Sequence, residues 1–307
     1  MAQVQLKSET IASQGFFSPI RLDFPLILTR QERLMEIYKL NDSLEIQKII
    51  QYSEGNTIYE YLWTDTGKFI VLVKDHPIVL RSVETGNIIQ KYSIYSHLDE
   101  IKSPYTACIE NHQIYTILGN IIYEIDIDSG SKKEIRIKSD KLRPRTITNL
   151  IAINKSIITI GSYDEIVYFV DKNSQKIINK IEALKGVTQL MYKEQNLYIG
   201  ARHSNCIQIW DLRLMKNPKH IINLPRLHQS YQKILFDIDF ASNLAVGNTD
   251  GSIFLYNHNF ELTSQVFAHF DAVNSVQFFS KGIVTSSGQR WIDSKPISLI
   301  REFWWNN

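Results

Sequence analysis

Cys206-Ile-Gln-Ile-Trp-Asp211 is a short apolar run that stops at an aspartate, and the chain returns to its like at regular intervals. Related stretches lie at Leu34–Tyr38, Ile78–Arg81, Ile121–Ile125, Ile166–Val170, Ile253–Tyr256 and Leu299–Trp304. Aligned on Asp211, the equivalent positions are Lys39, Ser82, Asp126, Asp171, Asn257 and Trp305, and the successive intervals along the chain are 43, 44, 45, 40, 46 and 48 residues. A period of roughly 40–45 residues is that of WD-type propeller blades, sheets that cannot bury their faces without neighbours. The fold class expected is therefore all-β, a seven-bladed WD-type β-propeller.

Up to four strands fit within each period. In the second unit they are Ile58–Trp63, Lys68–Val73, Pro77–Leu80 and Asn87–Ile94, rich in Ile, Val, Tyr and Phe and broken by Asp-Thr-Gly and Glu-Thr-Gly, which are strand and turn signals. Turns at Asp128-Ser-Gly130, Asp171-Lys-Asn-Ser174 and Asn248-Thr-Asp-Gly251 use residues that tolerate tight-turn dihedrals. No long stretch keeps an apolar period of 3.6 residues.

The seventh unit has strand-like runs at Ala272–Phe279, Gly282–Ser286 and Leu299–Trp305, after which only Asn306 and Asn307 follow. The alternating stretch Val4–Ile11 is expected to supply the missing outer strand, closing the ring and covering an open sheet edge. Residues 1–15 are then the closing strand and lead-in, 16–305 are the blades, and 1–307 is a single domain.

The composition, 44% hydrophobic and 21% charged, is ordinary for a globular protein. Two cysteines, Cys108 and Cys206, cannot build a disulfide framework and point to an intracellular protein. The first fifteen residues have no apolar core of signal-peptide length, and no apolar run reaches 18 residues, so no membrane insertion is expected. The eight histidines show no metal-ligand spacing, and no nucleophile elbow or phosphate loop ending in Gly-Lys-Ser or Gly-Lys-Thr is present. The expectation is a protein with no enzymatic activity, no cofactor and no metal. A net charge of +2 is too small to announce a nucleic-acid binder, but residues 131–145 hold seven basic residues against Glu134 and Asp140.

Glu54–Trp63, Tyr95-Ser-His-Leu-Asp-Glu100, Gly161-Ser-Tyr163, Gly200-Ala-Arg-His203 followed by Trp210-Asp-Leu-Arg213, Tyr231–Asp239, Ser287-Gly-Gln-Arg290 and Trp304-Trp305 occur in that order. The series resembles the telomerase Cajal body protein family of WD-repeat proteins, from about Phe16 to Trp305. The resemblance implies a non-enzymatic seven-bladed propeller that binds small guide RNAs of the Cajal body and telomerase RNA through a short loop element. It also implies a role in ribonucleoprotein assembly or in delivery to that nuclear body, with telomerase or snRNP proteins as further partners. Nuclear localisation is expected, with the cytoplasm as a second compartment. The long proline-rich and acidic flanks of the animal members are not in this sequence, and a shorter fungal branch is tied to spliceosomal RNA biogenesis. Which RNA is bound stays open.

In a WD blade, the turn between the second and third strands and the connection into the next first strand open on one face. Gly161–Tyr163, Arg202–Ser204 and Ser287–Arg290 fall on such turns, and Glu54–Tyr59, Ser96–Leu98 and Tyr231–Lys233 lead into first strands. Arg, His, Tyr and Gln on one rim suit single-stranded RNA, whose splayed bases stack on rings and guanidinium planes. The candidate base contacts are Tyr59, Tyr163, Arg202, His203, Tyr231 and Arg290. Lys233, Lys141, Arg143 and Arg145 are candidate phosphate contacts. Structural readings compete with these: Tyr59 and Tyr61 as packing residues in a strand, His97 and His203 as blade-corner hydrogen-bonding residues, Arg213 as a turn residue, and the 131–145 cluster as a solvated outer strand and loop. At the level of function, the competitor is a protein-interaction scaffold in snRNP biogenesis or splicing with no direct RNA contact.

Overall fold

The computed structural model of the chain describes residues 3–11, 21–23, 26–40, 46–64, 67–96, 98–138, 147–226, 234–279, 282–287 and 299–306, with side chains described at 26–30 and from 32 to 287 within those ranges. All regular structure among these residues is strand, and the strands form seven four-stranded sheets. β1 is Gln3–Ile11, and β2–β5 are Arg21–Asp23, Leu26–Gln31, Leu34–Leu40 and Ile46–Ser53. β6–β9 are Ile58–Trp63, Lys68–Val73, Ile78–Ser82 and Ile88–Tyr92; β10–β13 are Ala107–Glu110, Gln113–Leu118, Ile121–Asp126 and Lys132–Arg136. β14–β17 are Ile147–Ala152, Ile157–Ser162, Ile166–Asp171 and Lys176–Glu182; β18–β21 are Val187–Lys193, Asn196–Ala201, Cys206–Asp211 and His220–Asn223. β22–β25 are Phe236–Ile238, Leu244–Gly247, Ser252–Tyr256 and Leu262–Phe267, and β26–β28 are Val273–Phe279, Gly282–Ser287 and Leu299–Asn306.

Six sheets are simple meanders of consecutive strands, and the seventh has the order β1-β28-β27-β26. β1 runs antiparallel to β28 from Gln3↔Asn306 to Ile11↔Leu299, with one register shift between Leu6 and Ser8. The N-terminal strand therefore supplies the outer strand of the C-terminal sheet, the pairing expected from the alternation of residues 4–11.

The repeat has a local physical basis. At the aligned position, Asp126 Oδ1 accepts the Ser129 N–H at 2.8 Å, Asp171 Oδ1 accepts that of Asn173 at 3.1 Å, Asp211 Oδ1 that of Arg213 at 3.0 Å and Asn257 Oδ1 that of Asn259 at 3.0 Å. A short carboxylate or amide side chain at the end of these four third strands thus caps the turn into the fourth, the local hydrogen bond that makes Asp and Asn turn residues. A second recurring feature is a β-bulge in the first strand, between Ile58 and Glu60, Ile147 and Asn149, Val187 and Gln189, and Val273 and Ser275. Such bulges sharpen the twist of the strand that carries them.

The chain divides into two compact units, Gly55–Ile221 and the combination of Met1–Glu54 with Ile222–Asn307. In the Gly55–Ile221 unit the four sheets pack face to face in chain order. Ile70, Leu72, Ile78 and Leu80 meet Ala107, Ile114, Tyr123 and Ile125; Ile117, Ile122 and Ile135 meet Leu150, Ile158 and Tyr168; Val167 and Phe169 meet Leu190, Leu197 and Trp210. Hydrogen bonds cross the same joints: the Thr148 hydroxyl donates to the Val187 carbonyl at 2.7 Å, and the Leu190 N–H to Asn149 Oδ1 at 3.1 Å. In the other unit, Ile253 and Leu255 pack on Val276 and Ile283, and Val284 packs on Ile27, Tyr38 and Leu40. Both faces of each sheet in the middle of these stacks are apolar, as the near-continuous Ile and Val content of the second and third strands requires.

Candidate nucleic-acid interface

Three turns and connections at one end of the Gly55–Ile221 sheets carry a row of rings and one guanidinium. Tyr59 sits in β6, next to the bulge at Ile58/Glu60, and is half-buried. Its ring centroid lies 5.2 Å from that of Tyr105, with the rings tilted by 47°. Tyr105 belongs to the connection from β9 to β10 and is 42% exposed. Tyr163 follows β15 in the turn to β16, and its hydroxyl is hydrogen-bonded to that of Tyr105. Arg202 follows β19 in the turn to β20, and its guanidinium carbon stands 4.1 Å from the Tyr163 ring centroid. Four successive sheets thus contribute Tyr59, Tyr105, Tyr163 and Arg202 to one ladder.

Its geometry is built by the backbone. The Arg202 N–H donates to the Gly186 carbonyl at 2.8 Å, which ties the β19–β20 turn to the connection between β17 and β18. A Cβ at Gly186 would stand 2.8 Å from the Tyr163 carbonyl oxygen and 2.9 Å from Arg202 Nε, so glycine is what allows Arg202 to lie against Tyr163. His203, beside Arg202, occupies the left-handed region at φ 51°. At the near edge of the ladder the Ser103 hydroxyl bonds the carbonyls of Val73 and His76, and the His76 N–H donates back to Ser103 Oγ at 3.2 Å. Two adjoining sheets are stitched together there, next to Tyr105.

Burial raises the Tyr163 phenol above its ordinary pKa; the charge of Tyr105 and the hydrogen bond with it add to the rise, and the Arg202 charge opposes it. Burial likewise raises Tyr59, helped by Asp75 and Tyr105. Both rings therefore stay neutral at physiological pH. A guanidinium lying over one face of a ring is held by its quadrupole and leaves its own outer plane as a stacking surface. Among the described residues Arg202 has no carboxylate partner. Arg213, at the other end of the same sheet, is bound by Asp211 through Nε at 2.9 Å and through Nη2, and holds that carboxyl well below the usual range.

Of the residues expected from sequence to touch RNA, the structure brings Tyr59, Tyr163, Arg202 and His203 to this end of the unit. Tyr231, Lys233, Arg290, Lys141, Arg143 and Arg145 lie outside the described residues, as does His97. Tyr61 is 1% exposed and is a core residue. Of the 131–145 cluster, Lys132, Lys133 and Arg136 lie on the outer strand β13: Arg136 pairs with Glu134 at 3.2 Å, Lys133 lies 3.9 Å from Glu124, and Lys132 Nζ reaches the Ser93 carbonyl at 3.3 Å. Tyr105 was not singled out from sequence. Its signal is an aromatic residue after Ser-Pro in a connection on the same rim. Among the described residues no cluster of His, Cys, Asp and Glu could hold a metal ion, both cysteines are free, and burial pushes the Cys108 thiol up to about 12. No helix of the described residues is long and apolar enough to cross a membrane.

Four-stranded meanders with a capped third strand and a bulged first strand, repeated along the chain, define an all-β propeller of the WD type. The computationally designed Ika8 protein superposes with a TM-score of 0.68 over 98% of this chain and 100% of its own, at 14% identity, a likeness of fold alone. No family model matches the sequence. The sequence is similar to telomerase Cajal body protein 1 of Mus musculus, 26% identical over 70% of this chain, and of Homo sapiens, 23% identical over 76%. It is also similar to the guanine nucleotide-binding protein negative regulator 1 of Schizosaccharomyces pombe, 26% identical over 74% of this chain. The chain is a distant relative of the telomerase Cajal body proteins. The matched region spans 64% of the S. pombe protein and 44% and 48% of the mouse and human ones.

Proposed function

We propose that this chain is a single seven-bladed propeller domain, closed into a ring by β1, that binds a single-stranded loop of a small nuclear RNA. The observation that supports the reading is the Tyr59–Tyr105–Tyr163–Arg202 ladder, a chain of ring, hydroxyl and cation–π contacts across four sheets. Stacking contributes about 1–3 kcal/mol per base in single-strand binders. Two bases, one on the outer plane of Arg202 and one on the exposed ring of Tyr105, would outweigh the diffuse attraction of a net charge of +2. Lys141, Arg143, Arg145 and Lys233 are proposed phosphate contacts, and His203, Tyr231 and Arg290 further base contacts. The names of the animal relatives favour telomerase RNA and the guide RNAs of Cajal bodies as ligands, and with them a nuclear, non-enzymatic role in ribonucleoprotein assembly. The printed name of the S. pombe relative favours a second reading, a scaffold that regulates a protein partner without touching RNA.

Fluorescence anisotropy with labelled single-stranded loops from guide, telomerase and spliceosomal RNAs separates the two. Tyr105→Ala and Arg202→Ala should each weaken binding by about 5- to 150-fold, the equivalent of one stacked base, with the far-ultraviolet spectrum and melting temperature close to wild type. Wild-type affinity in the folded double variant would reject the ladder, and failure of the parent protein to bind any of the three RNA classes would favour the scaffold.

A further inference from the structure

The end of the Gly55–Ile221 sheets away from the ladder carries a groove of about 470 Å³. Its walls are mainly apolar, built by Phe169, Ile178, Tyr192, Leu212 and Met215 with Asn179 at the edge. Phe169 and Ile178 belong to β16 and β17, and the others to the β18–β19 hairpin and the turn after β20, so the groove follows the joint between two adjacent sheets. Met215 bridges the joint: its sulfur accepts a hydrogen bond from Asn179 Nδ2 at 3.3 Å. Apolar exposure continues outside: Ile178 is 53% and Leu214 73% exposed. β17 is also the terminal strand of its sheet, so an extended segment lying in the groove would run beside a strand edge able to accept and donate main-chain hydrogen bonds.

The charge around this groove has a sign. The turns that border it, 153–157, 171–176, 193–196 and 211–216, contain Lys155, Lys172, Lys176, Lys193, Arg213 and Lys216 against Asp171, Glu194 and Asp211. Arg213 and Asp211 cancel as an ion pair and Lys172 is turned toward Glu124 at 3.2 Å; the other charged side chains of these turns are Lys155, Lys176, Lys193 and Lys216 with Asp171 and Glu194, a basic excess. Lys155 and Lys216 are exposed and follow the lining residues Asn154 and Met215 in the chain, which sets them at the rim of the groove. Bulky side chains set between ammonium groups complement a segment of the opposite pattern.

We infer that this groove is a docking site for an extended acidic peptide of a partner protein, with Leu, Ile, Phe or Met anchors flanked by Asp or Glu. β15 spans six residues between Tyr163 at one end and the groove at the other, about 20 Å of strand. The peptide and the ladder's ligand can therefore be held at once. The groove would join a second protein to whatever the ladder binds.

The full chain is panned against a phage-displayed library of random dodecapeptides, and the enriched sequences are synthesised with a fluorophore. The expected outcome is enrichment of peptides with apolar anchors beside acidic residues. Their affinity should fall at least about ten-fold in Met215→Glu and in the double variant Lys155→Glu/Lys216→Glu, while anisotropy with RNA loops is unchanged. The lysines are exposed, so the charge reversal tests the site even if Met215→Glu loses its fold. No enrichment, enrichment of neutral or basic peptides, or equal affinity for wild type and both variants would overturn the inference. Loss of RNA affinity on charge reversal would assign these turns to nucleic acid and overturn it as well.

Discussion

Gly186→Ala tests whether the ladder is built as described. The added methyl would meet the Tyr163 carbonyl oxygen at 2.8 Å and Arg202 Nε at 2.9 Å, both closer than a Cβ tolerates. The carbonyl is part of the main chain and gives little. The arginine is the end of a flexible side chain and swings away, abandoning the Tyr163 face that it now covers at 4.1 Å. Two costs follow: about 1–3 kcal/mol for forcing the connection away from the carbonyl and about 0.5–1 kcal/mol for the lost cation–π contact. Arg202→Ala carries the second cost only. In the double variant the contact can be lost just once, so the two substitutions should be sub-additive by the same 0.5–1 kcal/mol or so, above the roughly 0.3–0.5 kcal/mol within which independent sites add. Urea unfolding of the four proteins gives this coupling directly. Additive free energies would show that Gly186 does not position Arg202, and the ladder would lose its support at that end.

Removal of residues 1–11 strips β1 from β28 and leaves β28 as a bare edge; the truncated protein should melt well below the full chain and associate through that edge, seen by calorimetry and light scattering. Gly251→Ala should destabilise far more than Gly67→Ala. Both have positive φ, +86° and +64°, but a Cβ at Gly251 would stand 1.8 Å from the His269 carbonyl oxygen while nothing lies within 4 Å at Gly67, so urea unfolding should show about 1 kcal/mol for Gly67→Ala and about 1–3 kcal/mol more for Gly251→Ala. Glu124 offers a pH test: burial works to raise its carboxyl pKa, but hydrogen bonds from Tyr115 at 2.6 Å and Lys172 at 3.2 Å, with the Lys172 and Lys133 charges, bring it below the ordinary value. A depressed carboxyl adds stability above its unfolded pKa and loses it as pH falls through the folded one. Wild type should therefore exceed Glu124→Gln at neutral pH by a margin that shrinks on acidification below the ordinary carboxylate range, and a margin independent of pH would remove the network from the account.

The strands were legible because they obey local rules. Ile58–Trp63 and Lys68–Val73 have the bounds read from alternation and turn residues, and Asp171 and Asp211 stand out in sequence because each caps a turn two residues away. The partnership of Tyr163 with Arg202 was also within reach, since both sit at the same place in successive repeats. Tyr105 was not, because it lies in a connection whose length varies from repeat to repeat, so nothing in the periodicity assigns it a neighbour. Nor could spacing separate Lys132, Lys133 and Arg136 from the rest of their basic run, because what occupies them is the cross-strand register Tyr123↔Glu134 and Glu124↔Lys133.

Two arginines of one sheet show how the repeat divides labour between its ends. Arg213 follows the third strand, where four of the seven repeats place a turn-capping carboxylate or amide, and Asp211 neutralises it. Arg202 follows the second strand, and its charge rests on a ring that spreads but does not cancel it. A polyanion gains only from a cation that gives up counterions when it binds, and Arg213 has already given up that role to the fold. The two ends therefore treat their arginines differently: Asp211 cancels the charge of Arg213, while Arg202 lies on the Tyr163 ring. That difference supports the proposal of RNA at the ladder, and the opposite groove, apolar between lysines, is proposed for a partner of different chemistry.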